Sequence, residues 1–340
     1  MPVISNASQI RGCLSSFVVG RTGLKYGFSR AVGKNVYLNT GEEVKMKIMI
    51  CGSDGQLGWD CIRVFGADNE IFSFNRTQLD ISDSHAVEDT VARVMPQVLI
   101  NCAAFTHVDR CETEKETAFK INTLGPHHLA KACARHRATL VHVSTDYVFD
   151  GNRELPLAWS ESDAPHPVSV YGQSKLEGEQ KLATVWEDHI IVRTAWLYGA
   201  HGNNFLKTML RLTLANPEKE FKVVDDQYGS PTWSLRLALQ MERLVKEEGR
   251  GIYHATSEGY CSWYELAVFF LKKMDVPHNL IPCTTAQYPT PTARPFNSIL
   301  ENKRLKQENI HRMTGWRHGV EQFVSRFRNE LLEAARLEIQ

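Results

Sequence analysis

Between an apolar run, Lys47–Cys51, and the helical stretch Leu57–Phe65 lies Gly52-Ser53-Asp54-Gly55-Gln56-Leu57-Gly58. Three glycines spaced three apart can turn a chain sharply from a buried strand into a helix, because glycine reaches backbone angles closed to other residues. Such a turn leaves the first helical N–H groups without partners, and they suit an anion such as a dinucleotide pyrophosphate. The spacing is G-x-x-G-x-x-G, not the G-x-G-x-x-G of many dinucleotide-binding turns. A glycine-rich turn without a ligand is the competing reading. The strand before it and the helix after it favour the phosphate site.

From Met46 onward, short apolar runs alternate with helical patterns. Strands are expected at Lys47–Cys51, Glu70–Phe74, Gln97–Asn101, Thr139–Val143 and His189–Arg193. Helices are expected at Leu57–Phe65, His85–Val94, Glu114–Arg135 (one long helix) and Tyr171–Ala183. This succession predicts an α/β fold of the Rossmann type, a doubly wound parallel sheet, with ligands at the carboxyl ends of the strands. After about residue 195 the alternation loosens. We therefore expect a binding domain over 46–195 and a smaller C-terminal substrate-binding lobe over 196–340, interleaved with it.

The chain has 340 residues and no net charge, but residues 1–45 carry six Lys/Arg against two Asp/Glu. The remainder is mildly acidic, which argues against a nucleic-acid partner. No apolar run is long enough for a membrane span. The eight cysteines form no Cys-x-x-Cys pair and no zinc pattern, and are expected as free thiols in a reducing cytoplasm. Residues 1–45 have the composition of a transit peptide. An upstream start assignment is the simpler reading, with Met46 opening directly into the first strand.

Other candidate ligand positions follow the remaining strands. After the second comes Phe74-Asn75-Arg76, where an acid would contact a ribose 2′-hydroxyl. Arg76 instead suits a 2′-phosphate, so Asn75 and Arg76 point to NADPH, with NADH also accepted; a solvated surface arginine is the alternative. Asp80-Ile81 lies in a loop able to cover an adenine. Ala103, Ala104 and Phe105 follow the third strand, where small residues allow close approach, and Val143 lies in the strand that ends near Thr145. Tyr171 and Lys175 stand one helical turn apart on one face. A phenol with a neighbouring ammonium can protonate a carbonyl oxygen as hydride arrives, the ammonium lowering the phenol's pKa. Thr145 can hydrogen-bond that oxygen. Thr145, Tyr171 and Lys175 are thus the candidate catalytic group of a ketone reductase.

These residues, with further runs downstream, resemble the extended short-chain dehydrogenase/reductases, and within them the dTDP-4-dehydrorhamnose reductase family. The resemblance spans about Met46 to Trp316. It rests on GSDGQLG (52–58), NCAAFTHVD (101–109), STDYVFDG (144–151), YGQSKLEGE (171–179), RTAWLYG (193–199), GNNF (202–205), DQYGSPT (226–232) and TARPFNSIL (292–300). It implies NADPH-dependent reduction of the C4 ketone of a dTDP-4-dehydro sugar, the last step of dTDP-rhamnose formation. It implies Thr145, Tyr171 and Lys175 as the catalytic trio. Cofactor contacts are implied from Gly52, Gly55, Gln56, Leu57, Gly58, Asp80, Ile81, Ala104, Phe105 and Thr106. Substrate contacts are implied from Asp146 and Trp196, the tryptophan offering a flat face and one donor to a sugar.

Asn203 and Asn204 are read either as nucleotide contacts or as a turn, and Arg294 either as a pyrophosphate partner or as a loop charge. Some members form metal-bridged dimers through acids. Here only Asp60 falls near such a position, and Trp233, Ser234 and Leu235 stand where acids would help. No essential metal is expected, and a homodimer is left open. A 4,6-dehydratase would need a second acid where Tyr147 follows Asp146. A non-catalytic, reductase-like subunit would be expected to lack part of the trio.

Overall fold

The computed structural model describes residues 45–339, so the expectations for residues 1–44 lie outside the described residues. Its centre is a six-stranded parallel sheet: β1 (Lys47–Cys51), β2 (Glu70–Phe74), β3 (Val98–Asn101), β4 (Thr139–Thr145), β5 (His189–Thr194) and β6 (Gly251–His254). The spatial order is β6-β5-β4-β3-β1-β2. The direction of winding reverses between β1 and β3, which opens a crevice beyond their carboxyl ends.

The inner strands are mostly apolar because both faces are covered, whereas the edge strand β2 exposes Glu70 and Ser73. Ile48, Ile50, Val98, Ile100, Val141, Ile190 and Val192 face one core, with helix α1 (Gln56–Phe65) and the later helix Ser234–Lys246. The alternate residues Met49, Cys51, Leu99, Leu140 and Ile191 face the other, with α2 (Ser84–Val94) and α3 (Gly125–His136). A third core gathers residues from Tyr198 to Ala335, built on Phe205–Ala215, Trp263–Met274 and Trp316–Leu337. The sheet cores thus draw on residues beyond 195, through Ser234–Lys246 and β6.

The long helix expected over Glu114–Arg135 is broken. Short helices at Val108–Thr113 and Lys115–Phe119 lead into a π-helical turn, Lys120–Leu124, before α3 begins at Gly125. Pro126 has no N–H to return to the Asn122 carbonyl. That carbonyl lies against Gly178 of helix α4 (Val170–Val185), where a Cβ would come within 2.2 Å of it. The proline and the close helix crossing account for the break, and π turns of this kind often mark functional sites.

Among the described residues no helix is long and apolar enough to cross a membrane, and the seven cysteines there are unpaired.

Candidate active site

The glycine turn forms as its spacing requires. Gly52 has φ +78° and donates its N–H to the Phe74 carbonyl at 2.9 Å, tying the turn to β2. A Cβ on Gly52 would strike the Ala103 backbone at 2.6 Å, and one on Gly58 would strike the Gly52 carbonyl at 2.2 Å. Only glycine allows this approach between the β1 turn, the β3 loop and α1. Gly55 is the N-cap of α1, and no acid occupies the first turn. The N–H groups and the helix dipole therefore favour an anion there.

The other candidate cofactor residues are arrayed around that turn with unequal exposure. Arg76 is exposed beside Asn75, whose Oδ1 accepts from the Thr77 N–H and hydroxyl and from the Gln78 N–H. Asp80 accepts from the Ser82 N–H and hydroxyl; burial alone would raise its carboxyl, but those bonds together with Lys120 and Arg76 outweigh it and hold the pKa below its ordinary value. Leu57, Ile81 and Phe105 belong to the cores, at 5%, 3% and 6% exposure. Ile81 packs on Gly125. Ala103, Ala104 and Val143 are half-buried and Thr106 is exposed.

Helix α4 carries the reacting groups. Ser169 caps it, accepting from the Gly172 N–H at 3.1 Å. Its buried face holds Tyr171, Ser174, Lys175 and Glu179. So polar a buried face breaks the usual pattern, and such breaks are expected where function requires them. Asn122, in the π turn, joins this helix to the β3 loop. Its Oδ1 accepts from the Phe105 N–H at 2.8 Å, while its Nδ2 donates to the Phe105 carbonyl and to Ser174 Oγ, both at 3.1 Å. Glu179 pairs with Arg193 of β5 at 2.6 Å, both side chains 3% exposed.

Thr145 ends β4, beside Thr194 of β5. Its hydroxyl donates to Asp146 Oδ1 at 2.9 Å and lies next to the Tyr171 phenol. Burial raises the Asp146 carboxyl to about 6, and its Oδ2 is buried without a hydrogen-bond partner. The Tyr147 ring meets Tyr171 edge-on at 5.5 Å. Lys175, 2% exposed, donates to the Val143 carbonyl at 2.7 Å. Burial lowers its ammonium to about 8, with Glu179 and Cys102 opposing. The expected lowering of Tyr171 is not found: burial pushes its phenol up, and the Thr145 hydroxyl is what counters this.

The downstream candidates approach from the second lobe. Trp196, at φ +46°, is half-buried, and its ring stacks on Trp263 at 3.5 Å. A Cβ on Gly229 would come within 2.5 Å of its Nε1. One face of the ring is therefore covered by Trp263. Asn204 is a cap: its Oδ1 accepts from the Lys207 N–H at 3.1 Å and its Nδ2 donates to Gln56 Oε1 at 3.0 Å and to the Gly199 carbonyl at 2.8 Å. It reaches the cofactor side through Gln56. Arg294 is half-buried, with Nη2 3.3 Å from Asp109 Oδ2, and its Nε is buried without a partner. Residues 226–232 and 292–300 run side by side, Tyr228 and Ser298 exchanging backbone contacts at 2.8 Å with Phe296 and Tyr228. Asp60, 3% exposed, accepts from Ser234 Oγ at 2.5 Å, an internal bond between α1 and the helix Ser234–Lys246.

Three buried polar residues of this neighbourhood, Asn101, Asn122 and His142, were not singled out by sequence. Asn101 and Asn122 stand in or next to otherwise apolar segments, a signal that marks polar groups needing internal partners.

Residues 46–329 match the family described as the RmlD substrate binding domain. The chain is 36% identical over 295 residues to the dTDP-4-dehydrorhamnose reductase of Escherichia coli, covering 82% of this chain and 97% of that protein. It is 35% identical over 271 residues to a dTDP-4-keto-6-deoxy-D-glucose reductase of Streptomyces niveus, covering 79% and 93%. A crystal structure of dTDP-4-dehydrorhamnose reductase from Bacillus anthracis in complex with NADP superposes with a TM-score of 0.80 at 36% identity, covering 83% of this chain and all of that one.

Proposed function

The chain belongs to the RmlD substrate-binding family, and from that premise we propose that it is an oxidoreductase reducing the C4 ketone of dTDP-4-dehydro-β-L-rhamnose to dTDP-L-rhamnose with NADPH. One observation carries the reading: Thr145 ends β4 at the carboxyl edge of the sheet and Tyr171 and Lys175 lie on the buried face of α4, in a fold whose glycine turn opens a helix with no side-chain cap and no acid in its first turn.

The cofactor fits the residues present. The N–H groups of Gln56, Leu57 and Gly58 hold its pyrophosphate, Arg76 its 2′-phosphate, and Ala103–Thr106 the adjoining surface. When bound, the reduced nicotinamide supplies hydride. Tyr171 donates the proton to the carbonyl oxygen, and Thr145 hydrogen-bonds that oxygen. Lys175 binds the cofactor ribose. Asp146, with one free buried oxygen, accepts a sugar hydroxyl. Trp196 contributes its Nε1 edge, and Arg294 meets the diphosphate through the nitrogen it leaves unpaired. The sheet body thus takes the cofactor and the second lobe the nucleotide sugar, in the cytoplasm, without nucleic acid, membrane or an essential metal, as a monomer or homodimer.

The Streptomyces relative favours a second reading, reduction of a 4-keto sugar that has not been epimerised. Purified protein with NADPH, dTDP-glucose and a 4,6-dehydratase separates the two, run with and without a 3,5-epimerase. The proposal requires NADPH oxidation only when both helpers are present, with dTDP-rhamnose as product. Oxidation without the epimerase moves the chain to the second reading, and no oxidation in either arm rejects both.

A further inference from the structure

Beneath the reacting face, Asn101, His142 and Lys175 form a buried line. Asn101 ends β3 and stands opposite His142 of β4 in the sheet register. Asn101 Oδ1 accepts the Ala103 N–H at 3.0 Å, which turns Nδ2 toward His142 Nδ1, 3.0 Å away. An amide nitrogen only donates, so His142 Nδ1 is the acceptor and the ring proton sits on Nε2. The ring is fully buried, and burial with Lys175 and His189 nearby drives its pKa well below the ordinary value. The neutral ring presents Nε2 to Lys175 Nζ at 3.4 Å.

We infer that His142, locked in its Nε2–H tautomer by Asn101, is a positioning residue that weakens the Lys175 ammonium by presenting it with a donor. An ammonium has no lone pair to accept that proton, whereas a neutral amine has one. The ring contact therefore stabilises the amine form selectively. The remaining groups around Lys175 pull the other way. Glu179, one turn along α4, and Cys102 favour the ammonium, while Glu179 is itself engaged by Arg193. The Val143 carbonyl accepts one proton in either form. The inference rests on the proposed function only for its effect on turnover. The tautomer and the amine titration are read without substrate.

The first experiment is long-range ¹H–¹⁵N correlation on the full chain labelled at histidine, with the His142 signals identified by their loss in His142→Gln. A neutral Nε2–H ring from about pH 6 to 9 is expected. An Nδ1–H ring, or a ring that protonates in that range, overturns the inference whether or not any variant folds. The second follows the Cε signal of ¹³C-lysine, identified with Lys175→Met, and expects a midpoint near 8. Asn101→Asp demands the ring proton on Nδ1 and frees Nε2 as an acceptor. His142→Gln lets an amide oxygen turn to the ammonium. Each should raise the midpoint by about one pH unit or more, and the limb of the pH–rate profile should move with it. Lower turnover with an unmoved midpoint in a folded variant means that these residues merely hold the strands together, and it overturns the proposal.

Discussion

Replacing Lys175 by methionine should make the protein's stability respond less to alkaline pH. The ammonium is lowered from 10.5 to about 8 by burial. At about 1.4 kcal/mol per unit, the buried charge costs the native state roughly 3 kcal/mol. The sign follows from proton counting. Between the two pKa values the unfolded chain holds a proton that the folded chain has released, so this group's contribution to stability rises with pH. The cost is complete below the folded value and gone above the unfolded one. From pH 7 to 10 the wild type should therefore gain about 2–3 kcal/mol relative to Lys175→Met. At roughly 2.1 cal/mol/K per residue, that is about 4 °C in melting temperature for a body of this size. The methionine also strands the Val143 carbonyl, but that penalty is independent of pH and drops out of the difference. Scanning calorimetry of both proteins at both pH values measures it. Parallel pH dependence in the two would refute the claim that burial weakens this ammonium.

Other substitutions test separate parts of the site. Glu179→Gln leaves the Arg193 guanidinium buried without its counter-charge and should cost about 3–5 kcal/mol in denaturant unfolding; an unchanged midpoint would contradict the pairing. Asn204→Ala removes a helix cap and should cost about 1 kcal/mol, with little change in the KM for the nucleotide sugar. A raised KM with unchanged stability would instead make Asn204 a direct ligand contact. Arg76→Ala should raise the KM for NADPH well above any change for NADH, since the exposed guanidinium is the proposed 2′-phosphate partner. Equal shifts would leave it without that role.

Much of this was legible because the signals are local and periodic. Lys47–Cys51 and Glu70–Phe74 form over the expected residues; the first reads as an unbroken apolar run because it is buried on both faces, and the second keeps enough apolar residues to show although it is the half-buried edge strand. Gly52 and Gly58 announced the turn because no other residue fits at either position. The segment 114–135 misled because its apolar spacing continues through the π turn, while the break comes from Pro126 and from Gly178 on a distant helix. Asn204 and Trp196 sit in the region the motifs marked, but their partners, Gln56 and Trp263, are 148 and 67 positions away in sequence. A single asparagine or histidine in an apolar strand has no periodicity at all, so Asn101 and His142 gained meaning only once the register placed them opposite each other.

The central claim is that Tyr171 supplies the proton for ketone reduction. Its hydroxyl is buried beside Thr145, and Tyr171→Phe removes that one atom from a ring otherwise held by packing against Tyr147. Turnover measured at saturating NADPH with the enzymatically generated dTDP-4-dehydro sugar should fall by about 10²–10⁴-fold, while the dissociation constant for NADPH and the melting temperature stay close to wild type. Turnover within a few-fold of wild type in a folded, NADPH-binding Tyr171→Phe would contradict the account.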